Sequence, residues 1–287
     1  MHLRSRSMVS LTYEESEYAG YDGKKMFMRI WKPEGPPKAV VLGIHGLGAH
    51  SGLISYVGEY FAKNQYIFYA PDMRGFGKFE GLKGHVDSFD EFVQDLDSLV
   101  TYLKQSHPSE KLFMYGHSLG GLWVINYILQ HPEGISGIMT PCPAVSERLK
   151  ISGAARAIVS MLSKLNVKRY FDTGLDLNLI ARNPDVVRRN KEDPLRFDKA
   201  TPRFATEGFK ARENGFNRAE EIELPIILQQ SGEDLILIPE ENKKFFDRIA
   251  SKDKTWKLYE GLYHEPFEDE GGAEFLADMM SWLDARV

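Results

Sequence analysis

The sequence predicts an α/β fold: a mostly parallel central sheet flanked by helices, with a helical cap inserted into its second half. Three observations lead there. Short apolar runs alternate with segments of helical period, as they do where strands and helices take turns along a chain. The runs are continuous rather than alternating, which marks strands covered on both faces. The alternation then stops between about Val145 and Gly215 and resumes afterwards. A chain of 287 residues with 43% hydrophobic content can bury one core of this kind with a modest insertion.

Taken in order, residues 1–7 carry Arg4 and Arg6 and no apolar run, and are read as standing outside the fold. They lack the apolar centre of a secretory signal. No later stretch approaches the roughly 18 apolar residues that a membrane span needs. Residues 11–18 and 25–31, around a turn at 20–24, read as an antiparallel hairpin at the sheet edge. The runs 39–45 (AVVLGIH), 66–71, 111–116 (KLFMYG), 134–142, 225–230 and 255–260 supply the remaining strands. Ser88 and Glu91 have capping-box spacing, and Phe92, Leu96, Leu99, Val100 and Leu103 follow at helical period. A helix runs from Leu119 to Gln130 and stops at His131-Pro132. Pro239 suits the first turn of a helix reaching about Ala250, and residues 272–285 form the last one. Within the insertion, Ile151, Ala154, Ala155, Ile158, Leu162 and Leu165 give one amphipathic helix. Residues 175–181 and 204–214 also read as helical. The expected division is therefore core 8–144, cap 145–215 and core 216–287.

Charge and cysteine content narrow the function. Lys and Arg number 36 against 41 Asp and Glu, a net charge of −5, so the basic excess of a nucleic-acid binder is missing. The single cysteine, Cys142, cannot pair internally, and a reducing cytoplasm is the easier setting. The oligomeric state leaves no trace in the sequence.

The chemistry concentrates in Gly116-His117-Ser118-Leu119-Gly120, which follows a strand and opens a helix. That context turns the pattern into a nucleophile elbow, with the Ser118 hydroxyl projecting above the sheet edge and the Leu119 N–H facing the same space. A serine hydroxyl needs a base. In the chain order nucleophile, acid, histidine, only His131 and His264 lie downstream; His131 ends the elbow helix, which leaves His264 in the loop after residues 255–260. The acid belongs after residues 225–230, where Ser231-Gly232-Glu233-Asp234 stands; Asp234 is the assignment and Glu233 its competitor. A second N–H for a developing oxyanion is expected from Leu47, in the glycine-rich loop after the third strand. The sequence holds no metal-ligand cluster, and its glycine-rich loops do not match a phosphate-binding pattern, so neither metal nor organic cofactor is expected.

Together these residues resemble the α/β-hydrolase superfamily and, within it, the monoacylglycerol lipase and lysophospholipase family. The resemblance spans about Tyr18 to Trp282. It rests on HGLGAHSG at 45–52, DMRGFGKFEG at 72–81, the elbow at 116–121, RNPDVVRRNKEDPL at 182–195, and Tyr263-His264-Glu265. The segment at 182–195 is the most discriminating, since the others occur across the superfamily. The resemblance implies a triad of Ser118, Asp234 and His264, with Leu47 and Leu119 as oxyanion donors. Phe79 stands where the family usually has a small polar residue, and Phe76 where it often has histidine. The spacing from Asp234 to Pro239 is one residue long; aligned on the proline, Leu235 would fall at the acid position, but leucine cannot orient an imidazole. The implied activity is hydrolysis of lipid mono-esters through an acyl-enzyme. A short-chain carboxylesterase or thioesterase is the alternative enzyme, and a non-catalytic hydrolase-like binding protein the alternative class. Aspartate-nucleophile relatives such as epoxide hydrolases are disfavoured by Ser118. The apolar stripe at 151–165 would line an acyl tunnel, touch a lipid surface, or pack on the protein's own core. Arg148, Lys150, Arg156, Lys164, Lys168 and Arg169 read first as a solvated face and, alternatively, as attraction to anionic headgroups in a protein peripheral to the membrane.

Overall fold

The computed structural model describes residues 13–148 and 152–287. Along the chain lie β1 (Glu14–Ala19), β2 (Lys25–Trp31), β3 (Ala39–Ile44), α1 (Ser55–Lys63), β4 (Tyr66–Pro71), α2 (Asp90–Ser106), β5 (Leu112–Gly116), α3 (Leu119–Ile128) and β6 (Gly137–Pro141). The insertion then contributes α4 (Gly153–Lys164), α5 (Pro184–Glu192) and α6 (Pro202–Asn217). The chain returns to the sheet with β7 (Ile226–Ser231), α7 (Pro239–Arg248), β8 (Lys254–Tyr259) and α8 (Gly272–Asp284). The strands form one eight-stranded sheet in the order β1-β2-β4-β3-β5-β6-β7-β8. β1 and β2 pair antiparallel, β2 meets β4 antiparallel, and all later pairs are parallel. This is the edge hairpin and parallel sheet expected from the sequence; residues 1–12 of that expectation, and Lys150 and Ile151, lie outside the described residues.

The continuous apolar runs are explained by burial on both faces. One face of the sheet packs under α2, α3 and α7, the other under α1 and α8. On the first face Trp123 is fully buried among His45, Phe76 and Phe92. On the second, Trp31 lies against Phe68 and over Gly58 of α1, where an added Cβ would come within 2.5 Å of the ring.

Five local expectations change. α1 has no counterpart in the sequence reading, because Gly58 and scattered polar residues dilute its periodicity. α5 lies inside the segment read only as a motif; Pro184 opens it, and the Asn183 side chain accepts from Asp185 N. Residues 175–181 form only a 3-10 turn at Leu177–Leu179, and a two-residue strand pair, Phe171–Asp172 with Lys199–Ala200, appears where no strand was expected. The Ser88–Glu91 pair is not a reciprocal capping box: Ser88 Oγ accepts from Asp90 N, while the Glu91 carboxylate accepts from Asp87 N and Tyr21 Oη.

The α4 stripe divides. Of its predicted residues Leu162 is half-buried, whereas Ile158 and Leu165 are 56% and 68% exposed; beside the stripe Val159 turns inward to a cavity shared with Ser118, and Met161 is 54% exposed. Because α4, α6 and the intervening segment share that cavity with the start of α3, the insertion covers the C-terminal end of the sheet. No helix of the described residues is long and apolar enough to cross a membrane.

Candidate active site

β5 ends at Gly116 and α3 begins at Leu119, which leaves two residues for a reversal of direction. Ser118 absorbs it with φ 56° and ψ −119°, a backbone state that only a well-determined surrounding sustains for a non-glycine residue. Gly120 makes the turn sterically feasible: a Cβ there would lie 2.3 Å from the Ile44 carbonyl oxygen. Ser118 N donates to Pro141 O at 3.2 Å, and Ser118 O accepts from Ala144 N at 2.9 Å, so the elbow is tied to the end of β6.

The loops after β7 and β8 bring the other predicted residues to this serine. His264 Nε2 lies 2.9 Å from Ser118 Oγ, and His264 Nδ1 lies 2.8 Å from Asp234 Oδ2. A proton on Nδ1 for the carboxylate leaves Nε2 free to accept from the hydroxyl. Asp234 is wholly buried, and its Oδ1 accepts from Ile236 N and Leu237 N, both at 2.8 Å. With that oxygen so held, Oδ2 faces the imidazole. Glu233 turns outward to Arg182 and is half exposed. Burial pushes the Asp234 carboxyl up, but the His264 charge and the N–H donors outweigh it and hold the group at about 2. Burial likewise pulls His264 down, and the Asp234 carboxylate outweighs it, leaving His264 above the ordinary histidine range.

Leu47 and Leu119 line the same cavity as Ser118 and His264. Neither backbone N–H donates to another group among the described residues. The cavity measures about 450 Å³, within the range of small-molecule sites, and Val159, Leu175, Leu179, Phe204 and Phe209 make much of its wall.

The sequence matches the family described as serine aminopeptidase, S33, over residues 35–271. The chain belongs to this family. Its relatives include the monoacylglycerol lipase of Mycolicibacterium smegmatis, 30% identical over 98% of this chain and 100% of that protein. An uncharacterized abhydrolase domain-containing protein of Dictyostelium discoideum is 29% identical over 96% of the chain, which spans only 30% of that protein's length. Among solved structures, a Paleococcus ferrophilus monoacylglycerol lipase is 32% identical with a TM-score of 0.82, covering 96% of this chain and all of that one. A soluble variant of the Saccharomyces cerevisiae monoglyceride lipase, in complex with a substrate analog, is 26% identical with a TM-score of 0.86, covering 98% and 97%. This family member is a lipase-type serine hydrolase acting on carboxylic esters.

Several residues of this hydrolase's site carry no assignment from the sequence. His117 sits inside the elbow motif, and its Nε2–H donates to the His264 carbonyl at 3.0 Å, bracing the histidine loop. Burial, with His264 nearby, pulls His117 down to about 3, so it is a neutral donor. His50 Nε2 meets Asp193 Oδ2 at 3.1 Å, joining the loop after β3 to the cap. Phe76 and Phe79, the two departures from the family pattern, are buried in local packing: Phe76 against His45 and Phe204, Phe79 beneath the Arg74 guanidinium. Among the described residues, Cys142, Asp234 and His264 alone approach metal-ligand spacing. They suit a metal poorly: Asp234 and His264 are engaged with each other, and burial pushes the Cys142 thiol far up, keeping its proton.

Proposed function

We propose that this protein hydrolyses mono-esters of long-chain fatty acids, monoacylglycerols or lysophospholipids, by a two-step acyl transfer. Ser118 attacks the ester carbonyl while His264 takes its proton. Asp234 holds the imidazole in one tautomer and stabilises its charged form. The Leu47 and Leu119 N–H groups receive the oxyanion. The alcohol leaves with the proton from His264, and water then releases the acid by the same route. In this reading residues 8–144 and 216–287 supply the catalytic core and 145–215 the acyl-binding cap.

The observation that carries the proposal is the apolar cavity beside Ser118, walled by cap residues and large enough for an acyl chain. The lipase relatives support the same substrate class. The exposed Ile158, Met161 and Leu165, with Lys164, Lys168 and Arg169 close by in the chain, support transient contact of the cap with an anionic membrane surface. The buried single cysteine suits a cytoplasmic protein that visits that surface.

Rates on 1-monoacylglycerols, lysophosphatidylcholines and p-nitrophenyl esters of increasing chain length test the proposal. Each methylene entering the cavity contributes about 0.8 kcal/mol, so kcat/KM rises up to roughly fourfold per carbon until the cavity is full. A maximum at acetate or butyrate would contradict it, as would preferential turnover of aminoacyl anilides.

A further inference from the structure

The turn that presents the Leu47 N–H is held at three carbonyls, and two of the three are held from the cap. Ala49 N donates to Gly46 O at 3.3 Å, and His45 Nδ1 lies 2.9 Å from the same oxygen. Phe197 N donates to Gly48 O at 2.9 Å. Arg196 Nη2 donates to Leu47 O at 3.3 Å.

Arg196 is in turn fixed on every side. Its Nε donates to Asp198 Oδ2 at 2.9 Å and its Nη1 to Asn190 Oδ1 at 2.8 Å, and the side chain is 4% exposed. Asn190 is held on α5 by its own bond to Val186 O. The cap segment is also shaped to the turn: Gly48 has φ +72°, and Asp198 Oδ1 lies 2.1 Å from where a Gly48 Cβ would stand. A turn with its second central residue in the left-handed region differs from the commoner type I by rotation of its central peptide. The oxygen of that peptide is Leu47 O, so a charged donor on it favours one of the two orientations. The Leu47 N–H lies on the preceding peptide, held through Gly46 O by Ala49 N and His45, so Arg196 fixes the other side of the residue that carries the donor.

We propose that Arg196 is a positioning residue for the oxyanion site, and that the cap completes this site as well as covering it. Arg196 acts through Leu47, not on the reacting atoms. An oxyanion donor is effective because it is aimed before the charge develops, and a turn free to rotate loses that advantage. The inference rests on the reading of Leu47 N–H as an oxyanion donor.

The test compares Arg196→Gln and Arg196→Lys with wild type in the full chain. It uses a p-nitrophenyl ester of fixed chain length and an alkyl trifluoromethyl ketone, which forms a tetrahedral adduct with the serine. Outright loss of an oxyanion donor costs about 10²–10³ in kcat. Loosening one is expected to cost Arg196→Gln roughly 10- to 100-fold in kcat per fluorophosphonate-titrated site, with KM within about threefold. Affinity for the ketone should fall by a similar factor, and Arg196→Lys should recover part of both. Where Arg196→Gln does not fold, Arg196→Lys is judged by the same split, with kcat and ketone affinity falling together. An unchanged kcat per titrated site would overturn the proposal and make the arginine merely structural. A rise in KM alone would also overturn it, placing Arg196 on the substrate. A wild type that neither hydrolyses esters nor labels would instead sink the hydrolase mechanism beneath it.

Discussion

Asp234 illustrates how much one buried side chain decides. Its carboxylate accepts from His264 and from two backbone N–H groups, and the fixed charge then holds His264 above its ordinary pKa against the effect of burial. Two consequences follow at this scale. Asp234→Asn should lower kcat about 10⁴-fold, whereas Glu233→Gln, which touches only an exposed ion pair, should change it less than threefold. Steady-state rates decide, and the reverse order would move the acid to Glu233. In the wild type the neutral base is lost as pH falls through the raised His264 value, so the acid limb of kcat/KM lies above the ordinary value of about 6.5. Removing the carboxylate leaves burial to dominate, so the limb in Asp234→Asn should shift to lower pH; an unmoved limb would contradict the assignment. The meeting of Ser118, His264 and Asp234 was legible in the sequence because chain order and strand ends restrict where each can sit. The contacts of His117 and Arg196 were not, since each is made to a backbone carbonyl distant in sequence.

At the level of elements, continuous apolar runs located the strands to within three residues, because doubly covered strands leave that mark whatever surrounds them. Helices fared less evenly. α1 was invisible because its most informative residue, Gly58, weakens a helix when considered alone. The fold explains the glycine: Trp31 fills the space a side chain would need. Helix propensity alone would make Gly58→Ala stabilising by about 1 kcal/mol. Overlap with a buried, immobile indole should outweigh that, at about 1–3 kcal/mol destabilising. Thermal denaturation of Gly58→Ala should therefore show a lower Tm; an equal or higher Tm would mean that Trp31 can move aside. The stretch 175–181 failed for the opposite reason. Its leucines recur at every second residue, 175, 177 and 179, which is not a helical period, and they form a single turn with Leu175 and Leu179 on the cavity wall.

Taken whole, the molecule is a sheet carrying an insertion that lines the Ser118 cavity on its inner side and meets solvent on its outer side. The outward residues Ile158, Met161 and Leu165 are each more than half exposed. Isolated apolar side chains are ordinary on surfaces, but three along one helix face suggest a surface meant to be covered part of the time. Replacing Ile158 and Leu165 together by serine should reduce sedimentation with phosphatidylglycerol vesicles and turnover of vesicle-borne monoacylglycerol. Turnover of a soluble short-chain ester should stay the same; undiminished vesicle binding would refute the membrane role. The whole arrangement converges on one hydroxyl, and the most direct test of that convergence is the intact mass of the protein after exposure to a fluorophosphonate. The account predicts one stoichiometric adduct, mapped to Ser118 and absent in Ser118→Ala, with ester hydrolysis lost in step. A wild type that stays unlabelled, or a Ser118→Ala variant that labels and hydrolyses as well as wild type, would contradict it.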